Sequence, residues 1–392
     1  MERNVEALFE LVQSALTKTK YTEPVSRETY AHAMENGLSG MFYPILDKEL
    51  IEPKVYARLQ SDYYEYLKRD TLQLNAIEEV HQLFKDNGIE HVFLKGSFLK
   101  YKYPETYMRS MGDIDILVHP ESMEWVHKIL PENGFSNWLN SAAHDCFQKG
   151  EDLFLEIHPK LDSEIDDLYS PMLEGTWEHV VTNNGSSEFE PQFQLAYLLY
   201  HMIKHLSTSG IGIRNILDIG LYIQSIQSEN QATPLLEVLE GYHLKKFFQN
   251  VLYLSKMYFG LQINDSYFDS FQMDSEFYEE ITRFIVVSGV HGSGKEHNPY
   301  LSGMSKSALK EQNLESGKKK YLLKTFFPPY RTMKGMYHYL DKCPIFLPIA
   351  WLQRAFRLMF KKTKSTVQKI KMLKIDDESV KKVEDLYQKL GL

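Results

Sequence analysis

This sequence predicts an α+β protein, with a small mixed β-sheet at about residues 89–165 embedded in a largely helical chain. Three observations lead there. Apolar residues recur at helical spacing in VEALFELVQSAL and in the long run from Val55 to Gly88, and again in two segments after residue 190. Between these blocks lie short apolar runs of strand length, HVFLK, DIDILV and LFLEIH. Inside DIDILV, Asp113 and Asp115 stand at i and i+2. A strand has a side-chain period of two, so both carboxylates project from one face while Ile114, Ile116 and Val118 point into a core.

The elements follow in order. Residues 1–88 read as helices, with Asn87-Gly88 suited to a C-cap. HVFLK is a strand and SFLKYKY a helix, joined by a turn at Gly96-Ser97 in which Ser97 caps the helix. DIDILV is a strand. ESMEWVHKILPENG is a helix interrupted late by Pro131, and SNWL, DCFQK and LFLEIH are further strands. Residues 166–290 read as mostly helical, most clearly in EPQFQLAYLLYHMIKHL and RNILDIGLYIQSI. The stretch 291–317 is poor in large apolar residues and holds glycines and a proline, so it reads as a loop or linker. Basic, aromatic helices occupy 318–392, broken at Pro328-Pro329, Pro344 and Pro348. The expected units are therefore 1–88, 89–165, 166–290, 291–317 and 318–392.

Composition narrows the class. A hydrophobic content of 43% with 25% charged residues is that of an ordinary globular protein. Cys146 and Cys343 lie far apart, so a disulfide framework is not indicated and a reducing, cytoplasmic location is expected. The N-terminus has the acids of an amphipathic helix rather than the basic and apolar regions of a secretory signal. No apolar run is long enough for a transmembrane segment. The net charge of −9 conceals an asymmetry. Residues 318–374 hold fifteen Lys/Arg and one acid, Asp341, which leaves 29 basic and 52 acidic residues elsewhere. Such a segment suits a polyanion contact: RNA, a phosphate-rich substrate or an anionic membrane. Equally, it suits docking on the chain's own acidic body.

The chemistry centres on the acids. Two carboxylates side by side resist joint ionisation, and a divalent cation between them removes the penalty. Glu156, in LFLEIH, supplies a third strand-borne acid. Three carboxylates on neighbouring strands suit two-metal phosphoryl transfer with Mg²⁺ or Mn²⁺. The competing reading for Asp113 and Asp115 is an edge strand whose acids face water; for Glu156 it is a buried salt bridge. A glycine and a serine at a helix start present N–H groups to phosphate. Lys95 is either a phosphate contact or a surface lysine, and Arg109 either a nucleotide contact or a structural ion pair. His158 shares the Glu156 face, as a partner of that acid, a substrate contact or a satisfied histidine. His201 and His205 lie one helical turn apart around Lys204. That spacing could ligate zinc, but it lacks the glutamate of the metalloprotease pattern, so nucleotide or acceptor contacts or plain packing are preferred. GVHGSGKE at 289–296 imitates a phosphate loop. Glu296 replaces the metal-binding Ser/Thr, and Asn298-Pro299 argues against the long helix required, so the motif is rejected.

Taken together, Lys95-Gly96, Tyr103-Pro104, Arg109, Asp113-Ile114-Asp115 and Glu156-Ile157-His158 resemble the uncharacterised bacterial nucleotidyltransferase family of the polymerase-β-like superfamily. HMIKH at 201–205, RNILDIG at 214–220 and FFPPY at 326–330 extend the resemblance over most of the chain. The gap between Ser97 and Asp113 is longer than in the wider superfamily and matches the narrower family. The resemblance implies transfer of an NMP from an NTP to an acceptor hydroxyl with release of pyrophosphate. Asp113, Asp115 and Glu156 would be metal ligands and catalytic acids, with Glu156 the general base. Gly96, Ser97, Lys95 and Arg109 would bind nucleotide; His158, Lys204, His205 and Arg214 are candidate substrate contacts. The acceptor is RNA, protein, glycan or a small molecule. The alternative is a catalytically silent nucleotide- or polyanion-binding module of the same fold.

Overall fold

The computed structural model describes residues 2–392 except 142, 162–168, 184, 228–231, 270, 273, 293, 295–297, 338 and 361–371. Its centre is a five-stranded sheet of order β1-β2-β5-β4-β3. The strands are β1 (His91–Phe93), β2 (Ile114–Val118), β3 (Ser136–Asn140), β4 (Asp145–Lys149) and β5 (Leu153–His158). Only β2 and β5 run parallel; the other three pairings are antiparallel. This mixed sheet within a helical chain is the α+β fold expected from the sequence.

Alternation in β2 decides which face does what. Ile114, Ile116 and Val118 are fully buried and pack in one cluster with Leu155 and Ile157 of β5. Two helices supply the rest of that cluster. The C-terminal half of α3 (Pro53–Asp86) gives Ile77, Val80 and Phe84, and α5 (Met123–Glu132) gives Val126, Ile129 and Leu130. Asp115 and Leu117 take the opposite face, where Leu117 joins the larger helical core. That core is built from α1 (Arg3–Thr17), α2 (Arg27–Glu35), α6 (Pro191–Leu206), α7 (Ile213–Ile226), α8 (Ala232–Gly241), α9 (Lys245–Phe259) and α10 (Ser275–Ser288). The polar face of the sheet thus looks onto α6 and α7. As expected, α3 closes at Asn87 with Gly88 at φ +65°, and Ile89 N–H returns to the Phe84 carbonyl at 2.9 Å.

Several local expectations need correction. The helix after β1 is short, α4 (Lys95–Leu99), followed by a 3₁₀ turn at Lys100–Lys102. Ser97 lies inside α4 rather than at its cap; the N-cap is Leu94, and Ser97 Oγ donates to Met111 Sδ at 3.8 Å. The chain turns two residues earlier than expected because Lys95 itself takes a left-handed φ of +46°. Pro131 sits in the last turn of α5 without ending it. A hairpin, β6 (Val180–Asn183) with β7 (Ser186–Phe189), was not foreseen in the helical region.

The stretch expected to be a loop over 291–317 carries α11 (Pro299–Glu311). Its small residues are a packing feature: Ser302, Ser305 and Ala308 are fully buried beside Met304, and Gly303 lies under the Tyr321 ring. Small side chains let two helices approach closely without the large apolar residues that signal a core. The partner is α12 (Leu314–Phe326); beyond it come α13 (Tyr330–Met336), α14 (Tyr339–Lys342), α15 (Leu347–Phe360) and α16 (Asp377–Leu390). The proline breaks fall between these helices or, for Pro348, in the first turn of α15. Lys361 and Lys362 of the basic segment, and Lys295 and Glu296 of the phosphate-loop imitation, lie outside the described residues.

Candidate active site

Strand register brings the acids together. Asp115 of β2 and Glu156 of β5 are direct partners in the parallel pairing, and Cys146 of β4 faces Glu156 across the next strand. Paired residues share a face, so carboxylate, carboxylate and thiol form one row across three strands. His144 and His158 fall in the next row, with ring centroids 5.1 Å apart. Asp113, one residue before β2, completes the group.

Lys95 reaches into this group. Its left-handed turn places Nζ 2.5 Å from Asp115 Oδ1, and His158 Nε2 lies 2.9 Å from the same oxygen. His158 Nε2 is also 3.6 Å from Glu156 Oε2, and His144 Nε2 is 3.7 Å from Glu156 Oε1. Burial pushes the Asp115 carboxyl up, but the Lys95 charge and the His158 hydrogen bond outweigh it and hold it below the usual range. For Asp113 the same Lys95 charge is outweighed. Burial, then the charges of Asp115 and Glu156, push its carboxyl up to about 7. Glu156 is lowered, chiefly by its hydrogen bond with His158. Burial pushes the His158 imidazole down, but its bonds to Asp115 and Glu156 raise it above its ordinary value.

Three openings surround the group. One is lined by Lys95, Gly96, Arg109, Asp113, Asp115 and Arg214. A second, behind Lys95, is lined by His144, His158, Lys160, Tyr197, His201 and Lys204. A third opens at the Asp113–Glu156 edge, between Arg69, Trp138, Cys146 and Phe154. At Gly96 an added Cβ would come within 3.1 Å of Met111, so the backbone passes this wall as closely as a side chain would allow.

The other expected residues divide. Lys204 and Lys95 share the second opening, and burial followed by the Lys95 charge lowers Lys204. Arg109 is held by a buried pair: its Nε donates to Asp218 Oδ1 at 2.7 Å, and Tyr103 Oη donates to the same oxygen at 2.7 Å. Arg214 Nη1 donates to the Ser110 carbonyl at 2.8 Å and to its Oγ at 2.9 Å, steadying the loop before Asp113. His205 Nε2 is 3.0 Å from His201 Nε2, and no third metal-ligating side chain joins them among the described residues. Ser97 is buried against Met111, away from the cap position.

Sequence reasoning missed His144, Cys146, Lys160 and Asp218 as members of this region. Asp218 had a readable signal, an acid in the apolar helix RNILDIGLYIQSI. The first two depend on the β4–β5 register, which no local pattern reveals.

The donor set fits a hard divalent cation. Asp115, Glu156 and His158 each offer a ligand atom within 4.8 Å of the others, and Asp113 adds a carboxylate whose proton a cation would displace. Two strand-borne carboxylates, and Asp113 one residue before β2, gather beside a lysine at a strand-to-helix turn, the arrangement expected of a nucleotidyltransferase core. The chain belongs to the uncharacterised nucleotidyltransferase family, which matches residues 26–260. That span includes the whole sheet, α6 and α7. Two apo forms of a tRNA-processing enzyme align with 15% and 14% identity over 79% and 80% of this chain, and 93% and 91% of theirs. Their TM-scores are 0.24 and 0.25. No curated protein matches.

Proposed function

We propose that the protein transfers an NMP from an NTP to an acceptor hydroxyl, releasing pyrophosphate. The observation that carries this reading is the convergence of Asp113, Asp115 and Glu156 on one sheet face beside Lys95. Asp113, Asp115 and Glu156 would hold Mg²⁺ or Mn²⁺, which when bound neutralises phosphate charge and lowers the pKa of a hydroxyl. Lys95, next to Gly96, is positioned to leave Asp115 for the triphosphate. Lys204 and Lys160 add positive charge to the same side. Glu156, kept ionised by His158, takes the acceptor proton. The acceptor oxygen bonds to the α-phosphorus, the bond from that phosphorus to the bridging oxygen breaks, and pyrophosphate departs with the electron pair. The opening beside Trp138 and Phe154 borders Glu156 and would admit the acceptor. Residues 166–290 would close over the cleft, since α6 and α7 supply its far wall.

The test is incubation of purified protein with each α-³²P-labelled NTP, divalent metal and cell extract, followed by identification of the labelled product. Asp115→Asn should abolish labelling while NTP-free protein keeps its fold. Glu156→Gln should still bind NTP by calorimetry yet lose transfer. Wild-type labelling by either variant would remove these acids from the reaction. Metal-dependent NTP binding without labelling of any acceptor would leave the silent binding module as the correct reading.

A further inference from the structure

We propose that the helices α12–α15 seat on an anionic lipid surface. This region lies outside the span matched by the family, and the proposal does not depend on the transfer reaction. Ile345 is 79% exposed, Ile349 47%, Leu352 61% and Phe356 56%. Ile349, Leu352 and Phe356 are spaced three and four residues apart and so share one exposed apolar stripe of α15, while Ile345 lies in the 3₁₀ turn that leads into the helix. Phe346 beside the stripe, and Leu323 and Phe327 at the end of α12, are also exposed. Phe327 meets Trp351 edge-on at 5.6 Å, which ties the end of α12 to α15.

This stripe is not required to build the local fold. The inward side has its own small core of Met333, Leu340 and Ala350, with Tyr330, Leu347 and Trp351 packed against it. Arg354 is used internally, donating to the Thr325 and Phe326 carbonyls at 3.1 Å. Lys319, Lys324, Lys342 and Arg357 remain exposed in the same helices.

An exposed apolar stripe in a segment rich in exposed cations matches an interfacial helix on acidic lipid. The alternatives fit less well. Nucleic-acid interfaces are polar, with cations on phosphates and rings on bases. Isoleucine and leucine at the centre of the face serve neither purpose. A second copy would bring two strongly basic segments together, at an electrostatic cost.

The test is co-sedimentation of the full chain with vesicles of phosphatidylcholine alone, or mixed with phosphatidylglycerol, at low and physiological salt. The protein should partition onto the mixed vesicles and not the neutral ones, and salt should weaken this only in part. Ile349→Asp and Leu352→Asp should each lower partitioning roughly tenfold, from the lost apolar burial. The double variant Lys342→Glu/Arg357→Glu reads the charge contribution independently and should also lower it. Circular dichroism and the melting temperature of each variant report whether the fold is kept. Failure to sediment at low salt overturns the proposal, as does binding indifferent to the aspartates. Retention of tRNA that the charge variant loses and the aspartate variants keep would assign the surface to nucleic acid. A concentration-dependent dimer broken by the aspartates, with no vesicle binding, would assign it to a second copy.

Discussion

Asp113 is the residue whose state depends most on what fills the site. Its neighbour Asp115 has Lys95 and His158 as counter-charges, so the repulsion between the acids is relieved by protonating Asp113. The consequence for stability has a definite sign. An ordinary aspartate titrates near about 4, while Asp113 in the folded chain is pushed up to about 7. Between those values the folded protein holds a proton that the unfolded chain has released, so this group's contribution falls as pH rises. Its contribution is full below about pH 4 and lost above about pH 7. Asparagine cannot titrate. In the presence of EDTA, the urea midpoint of the wild type should therefore drop more between pH 5 and pH 8 than that of Asp113→Asn. Parallel drops would place the proton elsewhere. Added Mg²⁺ should shrink the difference by taking over the role of the proton.

Among the elements, α11 and α12 show how small residues build a core. Their contact is set by glycines: a Cβ at Gly317 would lie 2.4 Å from the Ala308 backbone, which cannot move aside as a side-chain tip can. Gly317→Ala must push the helices apart, at about 1–3 kcal/mol. Gly241→Ala, at the end of α8 with nothing within 4 Å of the new Cβ, should be neutral or slightly stabilising. Chemical denaturation of the two variants makes the comparison, and equal stabilities would mean that the α11–α12 approach is looser than described. The acids follow the same logic at the level of strands. Asp115 and Glu156 meet because β2 and β5 run parallel in one register. A one-residue slip would turn Glu156 into the apolar layer.

At the scale of the whole molecule, the basic C-terminal region is anchored by its last helix. α16 buries Leu386, Tyr387 and Leu390 in the main core, and Tyr387 Oη donates to the Leu206 carbonyl at 2.6 Å. Leu206 ends α6, the helix that carries Lys204 and His205. Asn250 Nδ2 adds a bond to the Leu390 carbonyl at 2.9 Å. The ion pairs of Lys318 with Asp377 and of Lys320 with Glu311 stay within the C-terminal region. One exposed pair, Lys382 with Glu280 of α10 at 3.6 Å, does reach the acidic body, and exposed pairs contribute little beside the apolar burial and hydrogen bonds of α16. Tyr387→Phe should cost about 1–2 kcal/mol in urea unfolding, because it orphans a buried carbonyl. That cost should be insensitive to salt; a steep salt dependence would indicate charge docking instead.

The sequence alone determined a good deal of this. Periodicity marked the helices of residues 1–88, α6 and α7, alternation marked β2, and short runs of strand length marked β1, β3, β4 and β5, because burial on one face writes itself into local spacing. The pair Asp113 and Asp115 was legible as two acids on one strand face, and Glu156 as a third in a second strand. The α11 helix was not legible, since residues too small to carry an apolar signal were selected for close approach. Tertiary structure alone decided the row that joins Asp115, Glu156 and Cys146, the turning of Lys95 onto Asp115, and the capture of Arg109 by Asp218. Each of these depends on strand register or on contacts between residues 20 to 109 positions apart. A local pattern states which face a side chain takes, but not what stands opposite it.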